Sequence, residues 1–285
     1  MPVDPDALDR RLTAEGYLAD EGLLTAVHLA RALELPLLLE GEPGVGKTEV
    51  AGVLARVLGR ELIRLQCYEG LDASQALYEW DYPKQLLHLR AAEVEGRGVG
   101  DLYRDEFLLE RPLLRALRAE SGAVLLIDEI DRSDSEFEAF LLEFLSDFQI
   151  TIPELGTIGA ASVPLVVLTS NRTRELHDAL KRRCLYHWIP FPDAERERAI
   201  IRAQAPGLDE RSASRLVAAV HRIRGLALLK RPGIAESIAW ARGAQVLVRE
   251  GSTWLEAARR SVGLLVKHEE DLALVGRHAA EVFGD

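Results

Sequence analysis

The sequence predicts an α/β fold in which a parallel sheet forms the core and a small all-helical domain follows it. Three observations indicate this fold class. The apolar run 35–39 precedes a glycine-rich loop, and apolar residues repeat at helical spacing over 50–58 after it. The runs 123–127 and 163–168 are apolar without alternation, which is typical of strands buried on both faces of a parallel sheet. Beyond Asp193 the strand signals stop while helical patterns continue.

The period of the apolar residues predicts the first elements in chain order. Residues 13–33 have the spacing of one amphipathic helix that ends shortly before the first strand. Residues 61–67 are typical of a second strand. Residues 72–90 and 106–119 are mostly helical in pattern, and we expect Pro83 to break or kink the first of these two helices.

Strands and helices continue to alternate up to residue 192. We expect a short hairpin over 149–158, then a helix over 175–183 and a strand over 186–189. The later helices are predicted over 193–204, 210–224, 234–249 and 253–267. The predicted domains are therefore 1–192, an α/β domain with an N-terminal helix, and 193–285, a helical domain.

The composition is that of an ordinary globular protein. The chain has 285 residues, of which 48% are hydrophobic and 28% charged, enough for one large or two modest domains. No apolar run approaches the ~20 residues that a membrane span needs, and the N-terminus lacks the features of a signal peptide. The two cysteines, Cys67 and Cys184, form no disulfide framework. We expect a cytoplasmic protein with reduced thiols.

The charge balance argues against nucleic acid as the main partner. The net charge is −11 and the pI is near 5.3, whereas a protein that binds DNA needs a basic surface to neutralise phosphates. The small basic clusters 181–183 and 230–231 leave room for a local patch.

The glycine-rich loop fits the phosphate-loop pattern, in which two glycines flank four residues before Lys and Thr. Its glycines let backbone N–H groups approach phosphate oxygens, Lys47 can reach the β- and γ-phosphates, and Thr48 can place a hydroxyl on Mg²⁺. A glycine-rich turn that matches by chance is the alternative. The predicted nucleotide-binding residues here are Gly41, Glu42, Pro43, Gly44, Val45, Gly46, Lys47, Thr48 and Glu49.

Two acids follow the apolar run 123–127. In a phosphate-loop protein Asp128 would hold Mg²⁺ together with Thr48, and Glu129 would orient and polarise the attacking water. Alone, two adjacent acids at the end of a strand are more often a solvated turn. The phosphate loop about eighty residues earlier favours the site.

Asn171 follows the next strand. Ligands of parallel sheets sit at the carboxyl ends of the strands, so we expect Asn171 near Asp128 and Glu129, where it could bond the γ-phosphate or the water. A plain turn or helix N-cap is the alternative. The second glycine-rich stretch, 95–101, follows no strand and lacks a Lys-Thr pair, so we interpret it as a surface loop.

The order of these motifs resembles that of an AAA+ ATPase. The segments that carry the resemblance are 41–48, 124–129, 169–171 and 180–184, followed by helices. They would be Walker A, Walker B, sensor 1 and the arginine-finger region. Within AAA+, the stretch 170–176 running into 179–185 is most similar to the MoxR group and, in it, to the CoxD-type branch. The resemblance covers roughly 23–248.

The resemblance implies a homo-oligomeric ring, usually a hexamer, with ATP at each subunit boundary. Arg183, with Arg182 as the reserve candidate, would reach the γ-phosphate of the neighbouring subunit. The alternative is that the two arginines only occupy a helix C-terminus, where cations are favoured. The family usually has a sensor-2 arginine at the start of a lid helix. This chain has Glu236 there, so Lys230 or Arg231 could substitute, or the role is absent.

The implied function is Mg²⁺-dependent ATP hydrolysis that remodels or matures a client protein. MoxR-type proteins commonly act with a partner that bears a von Willebrand factor A (VWA) domain, and the CoxD-like branch implies metal-cofactor assembly in carbon monoxide dehydrogenase-like enzymes. The alternatives are a nucleic-acid motor or restriction-type nucleotidase on the same core, and a phosphate-loop kinase of small molecules. The segment 72–101 would be family-specific, with Trp80 in the core rather than facing a pore.

Overall fold

The computed structural model describes residues 4–94 and 102–284. The chain divides into two compact units. The first comprises the N-terminal residues up to Leu8, residues 20–40 and residues 48–188; the second comprises 9–19, 41–47 and the chain from Ile189 onward. The predicted boundary at 192 lies close to Ile189, but the inclusion of 9–19 and 41–47 in the second unit was not predicted. The stretch 95–101 lies outside the described residues.

Strands and helices alternate through the first two thirds of the chain. The strands are β1 (Leu37–Gly41), β2 (Glu61–Gln66), β3 (Tyr78–Trp80), β4 (Leu108–Glu110), β5 (Ala123–Asp128), β6 (Gln149–Ile152), β7 (Gly156–Gly159), β8 (Leu165–Ser170) and β9 (Leu185–Ile189). The helices up to β9 are α1 (Pro5–Ala14), α2 (Glu21–Ala32), α3 (Lys47–Leu58), α4 (Ala73–Leu77), α5 (Tyr82–Val94), α6 (Pro112–Arg118), α7 (Ser135–Asp147) and α8 (Asp178–Arg183).

The central sheet has five strands in the order β2-β5-β8-β1-β9. The pairs β2–β5, β5–β8 and β8–β1 are parallel, which confirms the predicted fold class. The register places Gln66 opposite Asp128 and Leu39 opposite Thr169. The carboxyl ends of β2, β5, β8 and β1 therefore meet at one edge of the sheet.

The sheet core is built from the uninterrupted apolar strands. Every residue of β1, β5 and β8 is buried, because helices cover both faces of a parallel sheet. Buried aromatic side chains of α7, including Phe144, and the apolar face of α6 pack in the same cluster. Trp80 is also buried there, as its large apolar ring predicted.

Three helical predictions for the part of the chain before β5 were wrong in part. The single helix expected over 13–33 is two helices, because Gly16 adopts a left-handed φ of +77° and Asp20 caps a new helix by accepting from Leu23 N. The stretches 72–90 and 106–119 each contain a three-residue strand, β3 and β4, which pair antiparallel. Pro83 lies at the start of α5 and does not break it.

The second unit has its own core. Its helices after β9 are α9 (Ala194–Gln204), α10 (Glu210–Gly225), α11 (Ile234–Arg249), α12 (Trp254–Arg260), α13 (Glu269–Arg277) and α14 (Ala279–Phe283). The first three confirm the predicted helices; the fourth prediction, 253–267, was too long, because α12 ends at Arg260 and a 3-10 turn follows. Trp240 of α11 is fully buried and donates to Ala258 O over 2.9 Å.

Among the described residues, none of the helices has both the length and the apolar character that crossing a membrane requires.

Truncation of a core aromatic tests this packing. Phe144 is 1% exposed, and we expect Phe144→Ala to lower the free energy of unfolding by about 3–5 kcal/mol, because it removes buried area and leaves a cavity. Leu87→Ala on α5, where the side chain is 68% exposed, is the control and should change it by at most ~0.5 kcal/mol. Urea denaturation followed by circular dichroism measures both. Equal effects of the two variants would contradict the assigned core.

Candidate nucleotide-binding site

The phosphate loop joins β1 to α3. Gly44 and Gly46 have φ values of +79° and +94°, in a region of backbone conformation that residues other than glycine rarely adopt. Lys47 begins α3, and its side chain is 6% exposed. Its ammonium donates to Gly41 O over 2.7 Å and to Glu42 O over 2.8 Å. The loop therefore curls around a buried cation at the N-terminus of a helix, which is an arrangement suited to phosphate.

Asp128, at the end of β5, is the most connected carboxylate of the site. It is 2% exposed. Its Oδ1 accepts from Thr48 Oγ1 over 3.0 Å and from Thr169 Oγ1 over 2.5 Å, and its Oδ2 accepts from Arg64 over 2.6 Å. A threonine hydroxyl beside a carboxylate oxygen is a donor set that suits Mg²⁺, a hard cation that prefers oxygen ligands. Thr48 and Asp128 therefore fit the predicted metal.

Glu129 lies just beyond the strand in an unusual backbone conformation. Its φ is +56°, left-handed for a residue that is not glycine. Its N–H donates to Thr169 Oγ1 over 2.9 Å. Its Oε2 accepts from Gln66 and from Arg132, each over 3.0 Å. The carboxylate is thus held at the carboxyl edge of the sheet by side chains from β2 and from the turn after β5.

The structure brings together the predicted residues of this edge and adds others. Asn171 directly follows β8 and is half-buried, so it lies at the same edge as Thr48, Asp128 and Glu129. The sequence analysis named Thr169 only as part of the sensor-1 segment 169–171 and gave it no role, and it missed Arg64 and Gln66. For the two residues of β2 the available signal was that this strand also ends in polar residues. All these contacts depend on strand register, which the local sequence does not specify.

Arg182 and Arg183 lie elsewhere in the first unit. They are the exposed last residues of α8. Together with Pro36 and Val163 they line a cavity, and Pro36 and Val163 precede β1 and β8. The two arginines are therefore at the amino ends of the strands, opposite the edge that carries Asp128 and Glu129.

Within the second unit, the phosphate loop contacts the start of α11. Ile234 N donates to Gly44 O over 2.9 Å. A Cβ on Gly233 would lie 2.7 Å from Gly44 Cα, so the two glycine backbones are in direct contact. Glu236, at the predicted sensor-2 position, caps its own helix by accepting from Gly233 N over 3.0 Å.

The two cations predicted as sensor-2 substitutes, Lys230 and Arg231, are exposed. The backbone of their turn is bonded to the buried carboxylate of Asp271, which accepts from Leu229 N over 2.8 Å and from Lys230 N over 3.2 Å.

The two thiols are poorly suited to act as nucleophiles. Burial, followed by the charge of Asp128, raises the pKa of Cys67 to about 12, and burial raises the pKa of Cys184 to about 12. Both therefore stay protonated at neutral pH. In the described part of the chain no three His, Cys, Asp or Glu side chains group as a metal site. The chemistry that the residues support is phosphate binding, Mg²⁺ binding and activation of water by a carboxylate.

Comparisons with known proteins identify a family and relatives of this chain. Residues 36–184 match the family model of the AAA domain (dynein-related subfamily). The chain is 27% identical over 217 residues to protein NorQ of Paracoccus denitrificans, covering 74% of this chain and 72% of that one. It is 36% identical over 149 residues to midasin of Giardia intestinalis, of which it spans only 3%.

A solved structure with a similar fold is the Thermotoga maritima RuvB Holliday junction branch migration motor. The TM-score is 0.51 at 18% identity, and the match covers 99% of this chain and 80% of that one. At this identity the similarity concerns the fold alone.

Removal of the Thr169 hydroxyl tests the Asp128 cluster. We expect Thr169→Val to lower ATP turnover about 10–100-fold, because Asp128 loses a donor and Glu129 N loses its acceptor. Thr157→Val, at an exposed strand position in the β6–β7 hairpin, is the matched control. Phosphate release measures turnover, and a thermal melt checks folding. Wild-type turnover in a folded Thr169→Val protein would exclude the hydroxyl from the site.

A methyl group at Gly233 tests the loop contact. Because its Cβ would lie 2.7 Å from Gly44 Cα, we expect Gly233→Ala to displace the phosphate loop and weaken nucleotide binding several-fold. Gly225→Ala, which has no atom within 4 Å of its Cβ, should bind as wild type. Titration with a fluorescent ATP analogue measures both affinities, and equal values would show that the loop tolerates the change.

Proposed function

Because this chain belongs to the AAA family, in its dynein-related subfamily, and is an ATPase, we propose that it uses Mg²⁺-dependent ATP hydrolysis to remodel or mature a client protein, as a MoxR-type chaperone. The observation that carries the hydrolytic part is the cluster at the carboxyl edge of the sheet. There Thr48 and Thr169 both bond Asp128 Oδ1, and Glu129 follows it directly.

The residues have separate roles in this proposal. The backbone N–H groups of 41–48, among which Pro43 has none, and the ammonium of Lys47 bind the phosphates. Thr48 and Asp128 hold Mg²⁺, which when bound supplies positive charge to the phosphate oxygens. Glu129 accepts a hydrogen bond from the attacking water and orients it, and Asn171 bonds the γ-phosphate or that water. The remaining predicted residues shape the phosphate loop and the first turn of α3; they are Glu42, Pro43, Val45 and Glu49.

The position of the arginines supports an oligomeric ring. Arg182 and Arg183 lie at the amino ends of the strands, so within one chain they are on the wrong side of the sheet for the Asp128 edge. In a homo-oligomeric ring, for which we propose a hexamer, Arg183 meets the γ-phosphate bound to the neighbouring chain, with Arg182 as the reserve. The fixed charge and planar fork of arginine suit the developing charge.

The client part of the proposal rests on similarity. The relation to NorQ, which extends over 74% of this chain, supports the MoxR group. The finer features are a VWA-domain partner, metal-cofactor assembly of the CoxD type and a cytoplasmic location, and we propose them from the sequence resemblance. The net charge of −11 disfavours the nucleic-acid alternative.

Paired variants test the proposal. We expect Glu129→Gln to bind ATP and to lose turnover, because an amide cannot activate water, and we expect it to assemble into a ring with ATP. Arg183→Ala should also lose turnover. Mixing the two in equal amounts should restore part of it, because random mixing leaves about a quarter of the interfaces with an intact Glu129 and an intact Arg183. Phosphate release and particle mass, each with and without ATP, are the measurements.

Glu143→Gln, an exposed carboxylate of α7, is the control. ATP hydrolysis by Glu129→Gln would contradict the water-activating role proposed for Glu129. A particle mass of a monomer under all nucleotide conditions, or no recovery of turnover on mixing, would contradict the proposed ring. Stimulation of turnover by DNA would favour the nucleic-acid motor.

A further inference from the structure

We propose that Glu40 is a positioning residue of the ATPase site, which fixes the turn 170–172 and thereby orients Asn171. The inference rests on the role proposed for Asn171. Glu40 is the last residue of β1 before the phosphate-loop glycines, and no motif includes it. Its neighbours Leu37, Leu38 and Leu39 are apolar and fully buried, and Glu40 is itself only 3% exposed.

The carboxylate of Glu40 is compensated by partners from two neighbouring strands. Ser170, at the end of β8, donates its hydroxyl to Glu40 Oε1 over 3.1 Å. Arg172 Nε lies 3.7 Å from Oε2. Tyr186 of β9 also bonds this carboxylate; burial first, and then the charge of Glu40 and this bond, raise the pKa of the Tyr186 phenol. A buried charge is stable only with such partners.

These contacts converge on the turn that contains Asn171. Arg172 N donates to Ser170 Oγ over 3.1 Å, so the chain of bonds runs from Glu40 through Ser170 to the backbone beyond Asn171. Arg172 has a left-handed φ of +55°. A residue other than glycine keeps this conformation, at a cost of about 1–3 kcal/mol, only where its surroundings enforce it.

The far side of the same turn is held as well. Thr173 donates to Asp131 Oδ2 twice, from its backbone N over 2.9 Å and from its hydroxyl over 2.7 Å, and Asp131 is 2% exposed. Two buried carboxylates, one before the phosphate loop and one after Glu129, thus pin the turn at both ends. An apolar residue at position 40 would fill the strand equally well but could not bond Ser170 or neutralise Arg172.

The first test separates positioning from folding. Glu40→Gln keeps the shape and an acceptor for Ser170 but loses the charge that faces Arg172. We expect it to lower kcat about 10-fold or more, the effect of removing a supporting partner, while the affinity for a fluorescent ADP analogue changes less than about two-fold, because the loop backbone that binds phosphate is intact. Ser170→Ala should show the same split, and Ser170→Thr, which keeps the hydroxyl, should retain turnover.

Glu175→Gln, an exposed carboxylate after the turn, is the control and should have wild-type kcat. If Glu40→Gln does not fold, as judged by its thermal melt, Ser170→Ala and Ser170→Thr carry the test. Equal loss of turnover and of ADP affinity would make Glu40 a structural residue of the loop and overturn the inference, as would an unchanged kcat.

A double-mutant cycle tests the route through Asn171. If Glu40 acts by orienting Asn171, then Glu40→Gln should lower kcat in the wild type and have little further effect in the Asn171→Ala background, because the effects of residues coupled through one hydrogen-bond network are non-additive. The same fold loss in both backgrounds would overturn this inference alone. Full turnover in Glu129→Gln would overturn the proposed function instead, so the two failures are distinguishable.

Discussion

The buried carboxylate of Asp128 is the constraint on which the rest of the structure depends. A charge that is 2% exposed needs hydrogen-bond donors or an opposite charge to replace the water it has lost. It receives them from Thr48, Thr169 and Arg64, which belong to α3, β8 and β2. These donors can meet only if the strands stay in their parallel register. The hydrogen bonds that would hold a metal ligand in place therefore also stabilise the sheet at its carboxyl edge.

The local sequence was sufficient to predict an element wherever one continuous stretch of the chain determines its own structure. The glycines of the phosphate loop, the uninterrupted apolar run of β5 and the acids after it predicted the fold class and most of the candidate site. Contacts between strands were not predictable in the same way. Arg64 and Gln66 lie in β2, whose sequence contains no motif that indicates a functional site. The pairing of β2 with β5 is what brings their side chains to Asp128 and Glu129. Register is a property of two segments and cannot be derived from either one.

The wrong helix predictions over 72–90 and 106–119 have a similar cause. Trp80 and Leu108 are partners in a two-stranded ladder although each lies in a stretch with helical spacing. A strand of three residues contains too few positions to show an alternating period, so the longer helical pattern around it dominates the prediction. Tertiary packing decides in such cases, since both side chains are buried in the core cluster. The stretch 13–33 failed differently, because a single glycine and an aspartate cap outweighed its apolar spacing.

The contact between Gly44 and Gly233 has a consequence for how such a chain can diverge. A Cβ on Gly233 would lie 2.7 Å from Gly44 Cα, and a Cβ on Gly44 would lie 3.0 Å from Gly233 Cα, so a substitution at either position requires the other backbone to move. Gly44 is already restricted by the phosphate loop, and the contact extends that restriction to the first turn of α11, almost two hundred residues later in the chain. Sequence drift in the helical region is therefore not independent of the nucleotide motif. A chimera that receives its helices from a related ATPase would have to inherit a glycine at this position.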